Sequence, residues 1–298
     1  MARLCRRGWA PALLVAAGLA LGACQTSPGA DEIKTESQNA RFAQIMRIGQ
    51  TTRQGGDLVS AVNLFREAHR LDRSRVEPLV AIGETTYALG QMNQAEEAFV
   101  QATERAPDEP AIRLGYGKVL VAQNKPDKAA EQFELAIKLK TGDYRAYNGL
   151  GVALDLLGRH EEAQQNYING MEMEPDSLSL RNNLALSLAL AGNYAEARDI
   201  LLGVAENPAS TPKQHLNLAL VYGLAGDRER AAQVAGQFLN ENQVRNNLVY
   251  YDMLRKLPPD RRRAAIVEGH GLEVPKLAEN TAPDIERTLD IAPATGRN

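Results

Sequence analysis

The residues able to do chemistry are few and scattered. Four histidines, His69, His160, His215 and His270, stand far apart in a chain of 298 residues. His160-Glu161-Glu162 opens like the H-E-x-x-H helix that binds zinc and uses its glutamate as a base. Gln164 stands where the second histidine belongs, so no metal site is expected. Gly115-Tyr116-Gly117-Lys118 has the small residues and lysine of a phosphate-cradling loop, but it falls inside a helical pattern, where close packing explains the glycines. The paired carboxylates Glu96-Glu97 and Glu161-Glu162 could be general acid–base pairs. Both sit near the expected start of a helix, where negative charge favours the N-terminal dipole. No Ser, His and Asp motif occurs. These residues point away from an enzyme and call for no cofactor.

The two cysteines belong to another kind of signal. Arg3, Arg6 and Arg7 make a basic start, and residues 10–23 are apolar apart from Pro11 and glycines. Fourteen helical residues span ~21 Å, short of the ~30 Å hydrocarbon core of a bilayer. Residues 1–23 therefore read as an export signal and not as a membrane span. Leu21-Gly22-Ala23-Cys24 resembles the bacterial lipobox, which implies cleavage before Cys24 and lipid on its sulfur. A lipoprotein cysteine of this kind carries three acyl chains. One chain anchors marginally, at ~0.8 kcal/mol per buried CH₂, whereas two or more hold firmly. Gln25 follows, and no Asp stands there to retain the chain at the inner membrane. By the same resemblance the destination is the periplasmic face of the outer membrane. The alternative is an ordinary secretory signal cut after Ala23, leaving Cys24 a free thiol. With Cys5 removed and Cys24 acylated, no thiol remains for a disulfide or a metal. Removal of the three arginines takes the formal charge from −3 to −6, and nothing suggests nucleic-acid binding.

The elements that position everything else come from periodicity. Hydrophobic residues make up 44% of the chain and aromatics only 5%, and the abundant Ala, Leu and Gln favour helix. Ala61, Ala95, Ala129, Ala163, Ala197 and Ala231 are spaced 34 residues apart. Gly49, Gly83, Gly117, Gly151, Ala185 and Ala219 keep the same stride, as do Gly56, Gly90, Asn124, Gly158, Gly192 and Gly226. These ladders resemble the tetratricopeptide repeat (TPR), a helix–turn–helix unit of that length. The fold expected is all-α, a right-handed solenoid of six repeats closed by a C-terminal capping helix.

The units are 42–75, 76–109, 110–143, 144–177, 178–211 and 212–245. Position 8 needs a small residue where the two helices of a unit cross, and position 20 needs one from the opposite side. Position 15 ends the first helix, where Gly or Asn accepts a left-handed backbone. Larger apolar residues fill position 7 (Ile48, Ile82, Tyr116, Leu150, Leu184, Leu218) and position 24 (Phe65, Phe99, Phe133, Tyr167, Leu201). A unit cannot bury its apolar face alone, so neighbours stack. Val204 and Phe238 replace the usual small residue at position 27 and alter packing in the last two units. Residues 24–41 read as a flexible tether, 246–268 as capping helices ended and restarted at Pro258-Pro259, and 269–298 as a disordered tail.

The inner wall of such a solenoid is the expected partner site. In the fourth unit it presents Arg145, Asn148, Val152 and Asp155, and in the fifth Asn183, Leu186 and Leu190. The sixth offers Lys213, Asn217, Leu220 and Leu224. An apolar stripe edged with asparagines suits a peptide or helix, with apolar area supplying affinity and amides meeting backbone groups. The asparagines could equally bridge neighbouring helices. The first units offer a more charged wall, with Arg47, Arg53, Glu84 and Lys118.

The second half carries a finer resemblance. Its marks are the Asn-Leu-Ala-Leu openings at Asn183 and Asn217, the Leu-Ala-Gly turns at Leu190 and Leu224, the STPKQ linker, and Asn247–Tyr251. These resemble the TadD lipoproteins of the tight-adherence (Flp) pilus system. The resemblance implies an outer-membrane scaffold that binds a pilus component such as the secretin and helps assemble or localise the apparatus. The alternative of another class is a general periplasmic TPR adaptor that docks cell-envelope enzymes.

Overall fold

The computed structural model describes residues 30–140 and 142–268, with side chains over 35–140 and 142–266. Signal, Cys24 and the 269–298 tail lie outside the described residues. Among the described residues every regular element is a helix, and none is long and apolar enough to cross a membrane. The helices are α1 (Ala30–Gln54), α2 (Leu58–Leu71), α3 (Glu77–Ala88), α4 (Met92–Arg105), α5 (Pro110–Ala122), α6 (Pro126–Leu139) and α7 (Tyr144–Leu156). They continue as α8 (His160–Met173), α9 (Leu178–Leu190), α10 (Tyr194–Ala205), α11 (Pro212–Ala225), α12 (Arg228–Ala235), α13 (Glu241–Lys256) and α14 (Pro259–Glu268).

The chain divides into two units, residues 1–41 and Phe42 onward. In the first, residues 30–41 are the opening turns of α1. Over residues 30–41 helix thus stands in place of the expected flexible tether, while 24–29 lie outside the described residues. After Gly29 the run ADEIKTESQNAR holds no Gly or Pro, and its Ala, Glu, Lys and Gln favour the helix.

The second unit is the repeat array. All six residues at position 15 hold the left-handed backbone, from φ 56° at Asn124 to 94° at Gly192. Side chains of Asp57, Asp143, Ser177, Thr211 and Asp227 accept N-terminal N–H groups of the next helix, satisfying donors the helix leaves free.

The position-8 glycines face the position-24 rings. A Cβ on Gly83 would lie 2.7 Å from Phe99, one on Gly117 2.6 Å from Phe133, and one on Gly151 2.5 Å from Tyr167. Two further glycines, Gly115 and Gly149, take the same rings from the next unit, at 2.5 Å from Phe99 and 2.4 Å from Phe133. The phosphate-loop look of residues 115–118 is thus two ring contacts on one helix. Where the ring gives way to Leu201, position 8 becomes Ala185.

At position 7 the apolar residues of later units are buried or half-buried, but Ile48 is 42% exposed. Ile82 shows why, since it packs on Ala61 and Phe65 of the unit before it. Among the described residues no helix pair precedes α1.

The sixth unit ends early. Helix α12 stops at Ala235 and Gly236, and Asn240 caps α13, reciprocated by Gln243. The capping helix therefore begins at Glu241, inside the stretch assigned to the sixth repeat. Phe238 is turned out against His215, with ring centroids 4.7 Å apart, whereas Val204 is fully buried.

Candidate functional site

Successive first helices touch one another (α3 with α5, α5 with α7, α7 with α9, α9 with α11, α11 with α13), and no close contact of that kind links successive second helices among the described residues. The row of first helices is the tighter side of the stack and forms its inner wall.

The wall residues expected from sequence are brought together on this side, but most lie in its floor. Asn148, Val152, Asp155, Asn183, Leu186, Asn217, Leu220 and Leu224 are buried, while Arg145, Leu190 and Lys213 are half-buried. The amides are engaged between helices. Asn183 Nδ2 donates to Asn148 Oδ1 at 2.9 Å, Asn217 Nδ2 to Asn182 Oδ1 at 2.9 Å, and Asn182 Nδ2 to Asn183 Oδ1 at 3.2 Å. This chain crosses α7, α9 and α11. Of the two roles open to these asparagines, the bonds are those of bridges between neighbouring helices. Position 5 and 6 side chains point at the neighbouring first helix, and a buried amide needs its partners there. The leucines share one apolar cluster and act as packing.

Asp155 is fully buried at the centre of a polar knot. Its carboxylate accepts from Ser187 Oγ at 2.7 Å and Tyr167 OH at 2.9 Å, and meets His160 Nδ1 at 2.7 Å. Burial raises its pKa, against the pull of these hydrogen bonds. The same burial, reinforced by the carboxylate, pushes Tyr167 well above its ordinary value. A Ser, His and Asp thus meet in space although no motif announced them. The order is wrong for nucleophilic catalysis, which needs the base to hold the nucleophile. Here Ser187 donates to the carboxylate, and the three groups tie α7, α8 and α9 together. His160 serves this knot, and Glu162 forms a 2.7 Å pair with Arg159. Glu96 lies in the second turn of α4 and pairs with Lys125 of the next unit at 2.8 Å.

The exposed chemistry of the wall is charge. Arg53 donates to Glu84 at 2.6 Å, and Arg145 to Asp143 at 2.7 and 2.8 Å. Between them Lys118 is 6% exposed. Burial first, then the nearby Arg145 charge, lowers its pKa to about 8, with Glu84 and Asp143 acting the other way.

The short helix expected after Pro258-Pro259 is present, but its seat on this wall escaped the sequence reading. After Pro258-Pro259, α14 turns back and packs on α7 and α9 as well as α13. Ala265 and Ile266 are buried in the cluster that holds Val152 and Leu186. Among the described residues no group of three or more acidic, His or Cys side chains could hold a metal.

Comparisons place this architecture. Family profiles described as tetratricopeptide repeat match residues 80–144, 117–169 and 157–212, and another matches 213–237. No curated protein matches the sequence. Among solved structures, MamA (41-end) from Desulfovibrio magneticus RS-1 is similar at 21% identity and TM-score 0.52, covering 55% of this chain and 93% of its own. The protein pilF of Pseudomonas aeruginosa matches at 18% and 0.57, over 67% of this chain and 91% of its own. A tetratricopeptide repeat protein from Parabacteroides merdae ATCC 43184 matches at 16% and 0.60, over 75% and 89%. At these identities the likeness is one of fold. With the family profiles covering 80–237 without a break, just over half of its length, the chain belongs to the tetratricopeptide repeat family.

Proposed function

We propose that this chain is a lipid-anchored scaffold of tight-adherence (Flp) pilus biogenesis, without catalytic activity of its own. Cys24 fixes it to the periplasmic face of the outer membrane, and its inner wall holds a peptide or helix of the secretion apparatus, the secretin being the component the resemblance names. The observation that carries the binding role is the wall itself. A rigid floor of buried amides and leucines supports half-exposed charged side chains at Arg53, Glu84 and Arg145. Such a surface sets the register of a bound chain by charge while its floor keeps a fixed shape. The lipobox supports the membrane anchor, and the paired Asn-Leu-Ala-Leu openings support the pilus assignment. The mechanism is passive: lipid and wall on one molecule raise the effective concentration of the partner at the membrane.

The test is crosslinking in cells that assemble the pilus. These partly buried pairs sit at the edge of the wall and outside its apolar cluster, so Arg53→Glu with Arg145→Glu is expected to keep its helical content, which circular dichroism checks. The reversed protein is expected to lose its crosslink to the secretin, and Cys24→Ser to move the protein into the soluble periplasm and impair piliation. Undiminished capture of the secretin by the reversed protein overturns the site. Capture of a cell-wall hydrolase in place of the secretin overturns the pilus role in favour of a general adaptor.

A further inference from the structure

Helix α14 is an unusual thing to find on the inner wall. Ten residues are too few to hold a helix in water, where ~12–15 are needed even for favourable sequences. Its stretch, PDRRRAAIVE, carries three consecutive arginines. What holds it is docking. Arg262, Ala265 and Ile266 stand at i, i+3 and i+4 and so share one face. Ala265 and Ile266 are 6% and 4% exposed. Tyr250 OH donates to the Ala265 carbonyl at 2.8 Å, meeting an acceptor that the end of a helix leaves open. Arg262 Nη1 donates to Tyr194 OH at 2.7 Å, and Arg262 Nε and Nη2 donate to the Leu254 and Leu257 carbonyls at 3.0 Å. The Arg263 guanidinium lies directly over the turn at Gly158. The wall of α7 and α9 therefore already grips a short helix, by a shallow apolar seat with a phenol at each side.

We propose that α14 is a resident ligand, and that the seat on α7 and α9 receives a partner helix of the same pattern in competition with it. That pattern is an arginine followed at i+3 and i+4 by a small and a β-branched apolar residue. The inference rests on the reading that the inner wall binds a helix, and it adds both the kind of helix and its regulation. While α14 is seated the site is closed. The Leu257–Pro258–Pro259 corner is the hinge, because two prolines cannot continue α13 into α14. Affinity for an outside helix then falls in proportion to the time α14 spends seated.

The experiment uses the full chain and a synthetic peptide of residues 258–270, PPDRRRAAIVEGH, titrated to millimolar concentration and read by NMR shifts of backbone amides. In the Ala265→Asp, Ile266→Asp double variant α14 is unseated. The peptide is expected to bind this variant at least about tenfold more tightly than the wild type, with shifts confined to α7, α9, Tyr194 and the residues in and just after α13 that face α14 (Tyr250, Leu254 and Leu257). A peptide carrying Ile266→Asp is expected not to bind. Hydrogen exchange of α7 and α9 checks that the variant stays folded. Should it fail to fold, the wild type gives the answer alone: added peptide must speed exchange of the α14 amides while those of α13 stay protected. Equal binding to both proteins, shifts elsewhere, no binding to the unseated variant, or unchanged α14 exchange overturns the proposal. A peptide that binds as expected while the secretin is never captured keeps this inference and sinks the pilus reading. Capture of the secretin with no effect of the peptide does the reverse.

Discussion

Replacing Gly117 with alanine sets two effects of known sign against each other. In an exposed helix the change gains about 0.8–1 kcal/mol in propensity. Here the new Cβ would lie 2.6, 2.7 and 2.9 Å from Cε1, Cζ and Cδ1 of Phe133, nearly 1 Å inside ordinary contact. The ring has little room to withdraw, because Gly149 also closes on the same ring atoms and Phe133 is fully buried. Overpacking of this kind costs about 1–3 kcal/mol, and with contacts this short the upper part of that range applies, so the steric cost outweighs the propensity and a net loss of up to about 2 kcal/mol is expected. The cure is visible in the fifth unit, where Ala185 at position 8 goes with Leu201 at position 24. Phe133→Leu alone leaves a gap and costs roughly 1–2 kcal/mol, on the scale of large-to-small core changes. Combined with Gly117→Ala it is expected to recover at least about 1 kcal/mol of the summed losses. Urea unfolding followed by helical signal gives the four stabilities, with hydrogen exchange of α5–α7 to detect unfolding by parts, which repeat arrays permit. A stabilised Gly117→Ala, or a double variant that merely adds the two losses, refutes the reasoning.

Other expectations are read in similar ways. Lys118 has a folded pKa of about 8 against 10.5 when unfolded, so between those values the unfolded chain keeps a proton the native state has released. Stability must therefore rise with pH across that window, by up to about 3 kcal/mol, and the difference between wild type and Lys118→Met in unfolding midpoints from pH 7 to 10 measures it; no pH-dependent difference refutes it. Asp155→Ala leaves the Ser187 and Tyr167 hydroxyls without their acceptor inside the core and is expected to cost at least about 3 kcal/mol, checked by denaturant unfolding. Asn182→Ala cuts the amide chain between α9 and α11 and is expected to cost about 1–3 kcal/mol, with faster amide exchange on both helices; unchanged exchange would count against the bridging role.

The repeat ladders were legible because each is fixed by a local demand. A left-handed φ selects Gly or Asn at position 15, and a ring against the backbone selects Gly at position 8. Gly115 and Gly149 were harder, since the ring each one meets comes from the preceding unit and their spacing follows no ladder of six. The wall misled for a related reason. Counting along a lone helix marks Asn148, Leu186 and Leu220 as facing inward, yet the next first helix lies so near that inward positions become interior ones. Asp155 read as a wall residue open to a partner because Ser187, its actual partner, sits 32 residues away. Helix α14 could be expected as a short helix after Pro258-Pro259, but its seat could not. Only Ala265 and Ile266 mark the buried face, and the residues receiving them lie far back in the chain.

The rings and glycines also decide where the array is stiff. Phe99 and Phe133 each press on a glycine of their own unit and on one of the unit that follows, like rivets driven through two plates. Tyr167 presses on Gly151 alone in this row, for the next unit has Asn183 where the earlier ones have Gly115 and Gly149. From there backward amides and leucines make the joints instead. A ring wedged between two backbones leaves no room for sliding, so shear along the stack should be resisted most at the joints behind the second and third repeats, where Phe99 and Phe133 each meet two glycines.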